Sequence, residues 1–432
     1  MLDIKFIKEN REVVKEAAKL KNIKIDIDLL ISMDDKRREF LSQIEKSREE
    51  RNKNAELTEK LQKEKKDLKE NINKGKEIKE KLSKKEEEYK KVLKEYKNLM
   101  LLVPNIPAKD APKGNESKNK EIYKWGNIPE FDFKPKDHIQ IGEELDLIDT
   151  ERGAKASGFR GYYLKNKAVL LQFAVLWYAL KKVTEKGYQP FWPPALLREF
   201  ALIGSGHFPE GKDDIYQIAN PGKLDSGQEV KEPIFLAGTS EPSLLAYFSD
   251  KVFEEEELPV KVCGISPCYR SEVGSYGEDT KGLYRLHEFM KVEEVVFCKN
   301  DTKESNKKLE EMRLISEEVL KDLNLPYRVI EIATGDMGTG KHKMYDIETW
   351  MPSRNSYGET HSASNLTDWQ PRRLNIKYKT KKGEKLFVHA LNNTVIASPR
   401  ILISLFECYQ QKDGSVKIPK VLEPCLGFDI IK

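Results

Sequence analysis

The chain has 432 residues, 34% of them charged and 38% hydrophobic, with a formal net charge of +4. That is length for two or three domains with sizeable cores, and no apolar run approaches the roughly 18 residues of a membrane span. The five cysteines, Cys263, Cys268, Cys298, Cys408 and Cys425, form no CxxC pair, so neither a structural zinc site nor a disulfide framework is expected.

The opening, MLDIKFIKENREVV, lacks the apolar stretch of a secretory leader, and a reducing, cytoplasmic setting is the expectation. Residues 3–20 read as a short amphipathic helix carrying Ile4, Ile7, Val13, Val14, Ala17 and Leu20. Residues 27–102 contain no proline and only Gly75, and they are rich in Glu, Lys, Arg and Leu, which favour helix. Ile78, Leu82, Tyr89, Leu93, Tyr96 and Met100 recur at coiled-coil spacing; Phe40, Ile44, Leu57 and Leu61 form a weaker pattern. One unbroken helix would reach about 110 Å, so two antiparallel helices are expected, turning between Lys63 and Gly75 and projecting roughly 50 Å. Lys36–Lys97 holds 22 Lys/Arg against 15 Asp/Glu. That excess of roughly +7 leaves the rest of the chain slightly acidic and suggests a polyanionic partner for this third. Taken alone, the segment fits a dimerisation coiled coil or a plain spacer better, because charge runs on helices are usually solvated faces.

Leu101–Pro112, LLVPNIPAKDAP, stops the helix with three prolines, and residues 113–135 read as a polar linker with short strands. Lys165–Lys186 is a long helix, followed by Gly187–Pro194, GYQPFWPP, a strand whose prolines make it short or place it at an edge. Gly204–Pro209 and Leu236–Pro242, LAGTSEP, follow; Thr239, Ser240 and Glu241 suit a small polar ligand, but on these residues alone a turn or helix cap is the better reading. Cys268–Glu294 opens with Arg270, Ser271 and Glu272 and passes through a loop with Gly274, Gly277 and Gly282. It returns at Arg285 and closes on the alternation Leu286–Phe289–Lys291–Glu293. The pattern is two antiparallel strands joined by a long loop. Arginines at both strand ends can fork onto phosphate oxygens, and Phe289 can stack on a base, but on spacing alone a surface hairpin with solvated charges fits as well.

Gly335–Lys341, GDMGTGK, matches a phosphate loop, but His342 follows where a Ser or Thr is required. The next stretch, Met344–Trp350, alternates like a strand, so the phosphate-loop reading is set aside. The chain ends with Glu359–Ser364, ETHSAS, Asp368–Arg373, and Ala390–Leu402, ALNNTVIASPRIL, a strand running into a helix with Arg400 near its start.

The segment from Arg270 to Phe289 resembles motif 2 of class II aminoacyl-tRNA synthetases, in the form of the seryl-tRNA synthetases. The Lys165–Pro194 unit resembles motif 1, with Pro194 as its proline, and Ala390–Leu402 resembles motif 3 with Arg400 as its arginine. LAGTSEP resembles the substrate loop, TGDMG ahead of Asp346–Glu348 fits the family, and VPNIP resembles the junction after its arm. Signature loops of class I synthetases are absent. The resemblance covers nearly the whole chain and implies an α+β protein. A tRNA-binding domain would span residues 1–103, with a coiled-coil arm at about 27–100. A junction at 104–135 would lead to an antiparallel-sheet catalytic domain at 136–432.

By that resemblance the chain activates L-serine with ATP and Mg²⁺ and transfers it to tRNA(Ser), as a homodimer; it leaves open whether tRNA(Sec) is charged too. Arg270, Arg285 and Arg400 would be catalytic. Arg270, Ser271, Glu272, Leu286, Phe289, Glu359, Thr360, His361, Ser362 and Arg400 would bind ATP, with Glu359 and Ser362 holding the metal. Thr239, Ser240, Glu241, Arg270, Glu293 and Thr394 would bind serine. Departures from the family pattern are Glu288 for a frequent glutamine, Tyr269 for phenylalanine, and the Asn392-Asn393-Thr394 form of motif 3. Two rivals are a ligase loading a carrier protein, which would lack the arm, and a non-catalytic RNA-binding paralogue, which would not need Arg270, Glu272, Glu359 and Arg400.

Overall fold

A computed structural model describes residues 1–432 except 221, 224, 231 and 274–281, so Gly274 and Gly277 lie outside the described residues. The rest divides into two compact units, Leu2–Pro104 and, with Met1, Asn105–Lys432.

In the first unit the N-terminal helix is broken. Helices α1 (Ile4–Glu9) and α2 (Arg11–Leu20) part at Asn10, whose side chain donates to the Phe6 carbonyl at 3.1 Å. Asparagine competes in this way for backbone groups that a continuous helix would use. Ile7, Val14 and Ala17 are buried with Ile27, Leu30 and Met33 at the base of α3 (Ile27–Lys63). The chain turns after Lys63 and returns as α4 (Lys69–Leu102). The 37 residues of α3 span about 55 Å. Cross-helix contacts run in opposite orders, Arg37 to Tyr96, Arg48 to Glu86 and Asn54 to Asn71, so the pair is antiparallel.

Ile44, Ile78, Leu82 and Met100 fill the seam, but Leu57 is exposed. Its expected place is taken by a polar layer. Asn71 Nδ2 donates to Asn54 O and Thr58 Oγ1, and Asn54 Nδ2 donates to Asn71 O. Gly75 is not the turn; it sits inside α4, where an added Cβ would come within 3.0 Å of Asn54 Nδ2.

In the second unit an eight-stranded sheet forms among the described residues. In chain order the strands are β1 (Lys120–Trp125), β2 (Gln189–Phe191), β3 (Val260–Tyr269), β4 (Glu288–Cys298), β5 (Tyr327–Glu331), β6 (Lys343–Met351), β7 (Ser356–Asn365) and β8 (His389–Ser398). Their spatial order is β1-β5-β6-β7-β8-β4-β3-β2, antiparallel throughout except β2 beside β3. The motif 1 strand is thus three residues long and at the edge, where Pro190 costs least for want of an N–H. The stretch read as a linker supplies the opposite edge strand.

Helices α5 (Lys167–Glu185), α6 (Thr302–Asp322) and α7 (Arg400–Tyr409) pack on the sheet. Their Leu171, Val175, Leu309, Met312, Leu402 and Phe406 share one core with Val292, Val296, Ile347 and Val395 of the strands. This is the α+β architecture expected. Lys341 lies in a turn between β5 and β6 and leads into a strand, so Gly335–Lys341 is no phosphate loop. Asn105 of VPNIP pins that turn instead, donating to Gly340 O at 3.1 Å and Leu366 O at 2.8 Å. No helix among the described residues is long and apolar enough to cross a membrane.

At the arm's base the buried Asp34 side chain meets Lys8 at 2.8 Å, Arg37 at 2.6 Å and Arg38 at 2.9 Å. Burial alone would raise its pKa, but the hydrogen bonds from Lys8 and Arg37 outweigh that and hold it below the ordinary carboxylate value. A depressed carboxylate stabilises the fold above its unfolded pKa, and the gain is lost as pH falls through the folded one. Asp34→Asn should therefore cost about 1–3 kcal/mol at pH 7, read by urea unfolding, and the deficit should close in acid. An equal deficit at pH 7 and pH 3 would contradict the ion-pair account.

Candidate active site

The site is built where β3, β4 and β8 run side by side. Tyr269 pairs with Glu288 and Cys268 with Phe289 across β3 and β4; Thr394 pairs with Glu293 and Ser398 with Met290 across β8 and β4. Alternation along β4 puts Phe289, Lys291 and Glu293 on one face. A bulge between Thr394 and Ile396 interrupts the β8 register.

On that face opens a cleft lined by Arg270, Glu272, Leu286, Phe289, Lys291, Glu359, Thr360, Thr394 and Arg400, together with Tyr284 and Pro399. An adjoining recess shares Arg270, Glu272, Glu359 and Arg400 and adds His207, Gly238 and Arg285. Each arginine is held. Arg270 Nε donates to Gly238 O at 3.2 Å, and its guanidinium lies 5.4 Å from the Phe289 ring centre. Arg285 meets Glu272 at 3.2 Å. Arg400, the first residue of α7, donates from Nε to Tyr284 O at 3.0 Å and from Nη1 to Glu359 O at 2.9 Å. Behind Tyr284, His138 Nε2 accepts the Leu283 N–H at 3.1 Å while Nδ1 meets buried Glu407 at 2.8 Å. The Leu283 backbone that leads into Tyr284 is thereby anchored. An aromatic face sharing one cleft with two fixed guanidinium groups is suited to a base carrying a phosphate chain.

Deeper in, Lys291 Nζ meets Glu293 Oε2 at 2.6 Å, and Thr394 Oγ1 donates to the same oxygen at 3.0 Å. Buried Glu241 accepts from Gln370 Nε2 at 2.7 Å and from Asn392 Nδ2. Burial would raise its pKa, but Lys341, His207 and these amides together leave it below the ordinary value, so it stays ionised. Burial lowers His207 to about 4 and keeps it neutral. Thr239 and Ser240 are buried, and neither hydroxyl has a hydrogen-bond partner among the described residues. Buried carboxylates beside a free hydroxyl suit a small molecule that brings both an ammonium and an alcohol.

Residues 1–107 match the family model of the seryl-tRNA synthetase N-terminal domain, and residues 223–409 that of the tRNA synthetase class II core domain (G, H, P, S and T). The chain is 41% identical to a serine–tRNA ligase of Treponema denticola, over 100% of both chains. The chain belongs to the seryl-tRNA synthetase family. A Deinococcus radiodurans serine–tRNA ligase is 43% identical, over 99% of this chain and 98% of that one. Among solved structures it is similar to the seryl-tRNA synthetase of Pyrococcus horikoshii complexed with ATP, with a TM-score of 0.85, 36% identity, and coverage of 100% of this chain and 99% of that one. The cytoplasmic serine–tRNA ligase of Naegleria fowleri in complex with AMP gives 0.82 and 30%, with the same coverage.

Of the residues that the resemblance to seryl-tRNA synthetases singles out, Arg270, Glu272, Leu286, Phe289, Glu359, Thr360, Thr394 and Arg400 line the cleft, and Arg285 lines the recess. Glu293 joins them through Lys291 and Thr394. Ser271 lines neither; its hydroxyl donates to Asp213 O at 2.6 Å. His361 is 1% exposed, with Nδ1 on Thr360 Oγ1, and burial takes its pKa down to about 3. Ser362 faces Asp346 across β6 and β7. Ser240 packs under β3, where an added Cβ on Gly264 would come within 2.9 Å of its hydroxyl.

Lys291 is the main omission, although its alternation with Phe289 and Glu293 already put it on the site face. Gln370, Asn392 and Lys341, which surround Glu241, carried no such signal because they come from distant segments. The departures Tyr269 and Glu288 turn out to stand opposite each other. Burial, then the Glu288 carboxylate that the Tyr269 hydroxyl meets, raise that tyrosine's pKa.

Proposed function

We propose that the chain joins L-serine to tRNA at the expense of ATP, as a cytoplasmic homodimer. The catalytic unit spans residues 136–432, and residues 1–103 form a tRNA-binding unit reached through the junction 104–135. The observation that carries the reading is the cleft itself, which gathers Arg270, Arg400 and Phe289 with Lys291 and Thr394, the last two both bonded to Glu293.

In the first step a serine carboxylate oxygen bonds to the α-phosphorus of ATP, and the bond to the bridging oxygen breaks, releasing pyrophosphate. Arg270 stabilises charge on the α-phosphate, Arg400 binds the terminal phosphate, Arg285 lies near the phosphates, Phe289 stacks on adenine, and Glu272 meets the adenine or the tRNA end. Glu241 takes the serine ammonium, with Thr239 beside it, and Glu293 and Thr394 take the hydroxyl. In the second step a hydroxyl of the terminal tRNA ribose attacks the seryl carbonyl and AMP leaves. No protein nucleophile is needed, because positioning and fixed charge do the work.

Glu359 and Ser362 would hold Mg²⁺ with the phosphates. The donors fit a hard cation: Glu359 is an exposed carboxylate and Ser362 a hydroxyl. Asp346 opposite Ser362 has a buried oxygen without a hydrogen-bond partner among the described residues. A bound ion would neutralise phosphate charge while keeping several non-protein oxygens. No group of three or more His, Cys, Asp or Glu is gathered to hold a metal among the described residues.

Homodimer formation is supported by α5, where Leu170, Phe173 and Trp177 recur at helical spacing with exposures of 52%, 60% and 58%. Such a stripe marks an association surface. The arm at about 27–100 takes the tRNA(Ser) backbone. Lys46, Lys53, Lys74, Lys81 and Lys85 gather along one groove between its helices, as duplex recognition by shape and phosphate requires.

Arg270→Ala should lower serine-dependent ATP–pyrophosphate exchange by about 10²–10³; activity within about threefold of the parent would remove Arg270 from this role. Replacing residues 27–100 by a short Gly/Ser linker should leave exchange near the parent level but abolish most tRNA charging and the steep salt dependence of tRNA binding. If charging survives, the arm is a spacer; if exchange collapses in a folded dimer, the arm supports the catalytic unit.

A further inference from the structure

Directly behind the Thr394–Glu293 pair, on the opposite face of the sheet, Asn393 stands across from Glu294. Both are 0% exposed. Asn393 Nδ2 lies 3.0 Å from Glu294 Oε2, 3.1 Å from Met312 O and 2.8 Å from Ser316 Oγ. The Met312 carbonyl can only accept, which fixes the amide nitrogen on that side. The Ser316 hydroxyl donates onward to the Thr394 carbonyl at 3.1 Å, just before the bulge that interrupts β8. Two acceptors in this enclosed set, Glu294 Oε1 and Asn393 Oδ1, have no hydrogen-bond partner among the described residues. Leaving both unsatisfied is costly, and one proton satisfies both.

We infer that Glu294 carries that proton and closes a two-bond acid–amide ring with Asn393, making Glu294 a positioning residue for Thr394. In the ring Glu294 Oε1–H donates to Asn393 Oδ1 while Asn393 Nδ2 donates to Glu294 Oε2. Together with Ser316, the ring fixes the backbone that presents the Thr394 hydroxyl to Glu293. The role rests on the serine pocket proposed above and deepens it, since a single titratable group behind the sheet then tunes recognition of the amino-acid hydroxyl.

The charged surroundings agree. Burial raises the Glu294 carboxyl to about 8; the Asn393 hydrogen bond opposes this, Glu293 adds to it, and Lys261 on β3 opposes it. Cys263 pairs with Glu294 from β3, and burial followed by this carboxyl pushes its thiol up to about 12. Tyr188 is raised by burial, then by Glu294 and Glu311 of α6. Lys261 is the one cation among these groups.

Glu294→Gln tests the inference, because an amide can close the same ring without titrating. In serine-dependent pyrophosphate exchange the two proteins should have similar serine KM at pH 7. Between pH 7 and 9 the parent's serine KM should rise by about tenfold relative to Glu294→Gln, with ATP KM alike in both. Titration of serine's own ammonium is common to both proteins and cancels. A stability readout stands apart from the substrate. A folded-state carboxyl held neutral retains a proton that the unfolded chain releases, so the parent loses stability as pH rises from about 4.5 to about 8. The advantage of Glu294→Gln in thermal midpoint should widen over that range and then level. Parallel serine KM profiles, or a midpoint gap independent of pH, would overturn the inference. A parent with no serine-dependent exchange but with the widening gap would instead overturn the pocket reading, and the positioning role with it.

Discussion

The pairing of β4 with β8 in the middle of the sheet is the constraint on which the rest depends. Their register sets Thr394 against Glu293 and Ser398 against Met290. The first pair builds the polar floor of the cleft, and the second delivers the chain to Arg400 at the start of α7. Because β4 also pairs with β3, the same strand fixes Phe289 beside Cys268 and brings Arg270 to the end of its neighbour. A slip of one residue would send Phe289, Lys291 and Glu293 to the far face. The register is guarded on that face by apolar burial, with Val292 and Val296 at 0% exposure in the shared core.

Electrostatic preorganisation follows from this frame. Arg270, Arg285 and Arg400 are each tied to a main-chain or carboxylate oxygen, so their positions are set before any phosphate arrives. Buried Glu241 stays ionised because two amides and Lys341 compensate it, whereas buried Glu294 is raised because little does. Two glutamates in one unit therefore take opposite states, and the difference lies in the number of donors each can reach.

Much of this was legible in the sequence. The arm was visible as a proline-free run with a seam at Ile78, Leu82 and Met100; Arg270, Arg285 and Phe289 were visible in the pattern around the loop after Arg270, and Arg400 in the strand-to-helix stretch Ala390–Leu402. What escaped did so for physical reasons. Asn54, Thr58 and Asn71 continue the arm's seam with hydrogen bonds, and polar residues there read as a break, so Leu57 was given an inward place that it does not have. Ser271 and His361 sit beside true cleft residues, but side-chain direction separates them. In β7 the pairing with β6 shifts between Ile347 and Glu348, and such a bulge re-aims side chains in a way that spacing alone cannot show. Gln370 and Lys341 reach Glu241 only through the fold.

The central claim is that the floor of this cleft selects serine by pairing its ammonium and its hydroxyl. The most direct measurement is kcat/KM for serine against alanine in ATP–pyrophosphate exchange with the unmodified protein. Alanine would leave Thr394 and Glu293 without the hydroxyl they are placed to meet, and sites of this kind discriminate by up to about 10⁴. A serine preference of that order is the expected result. Comparable values for the two amino acids would contradict the account.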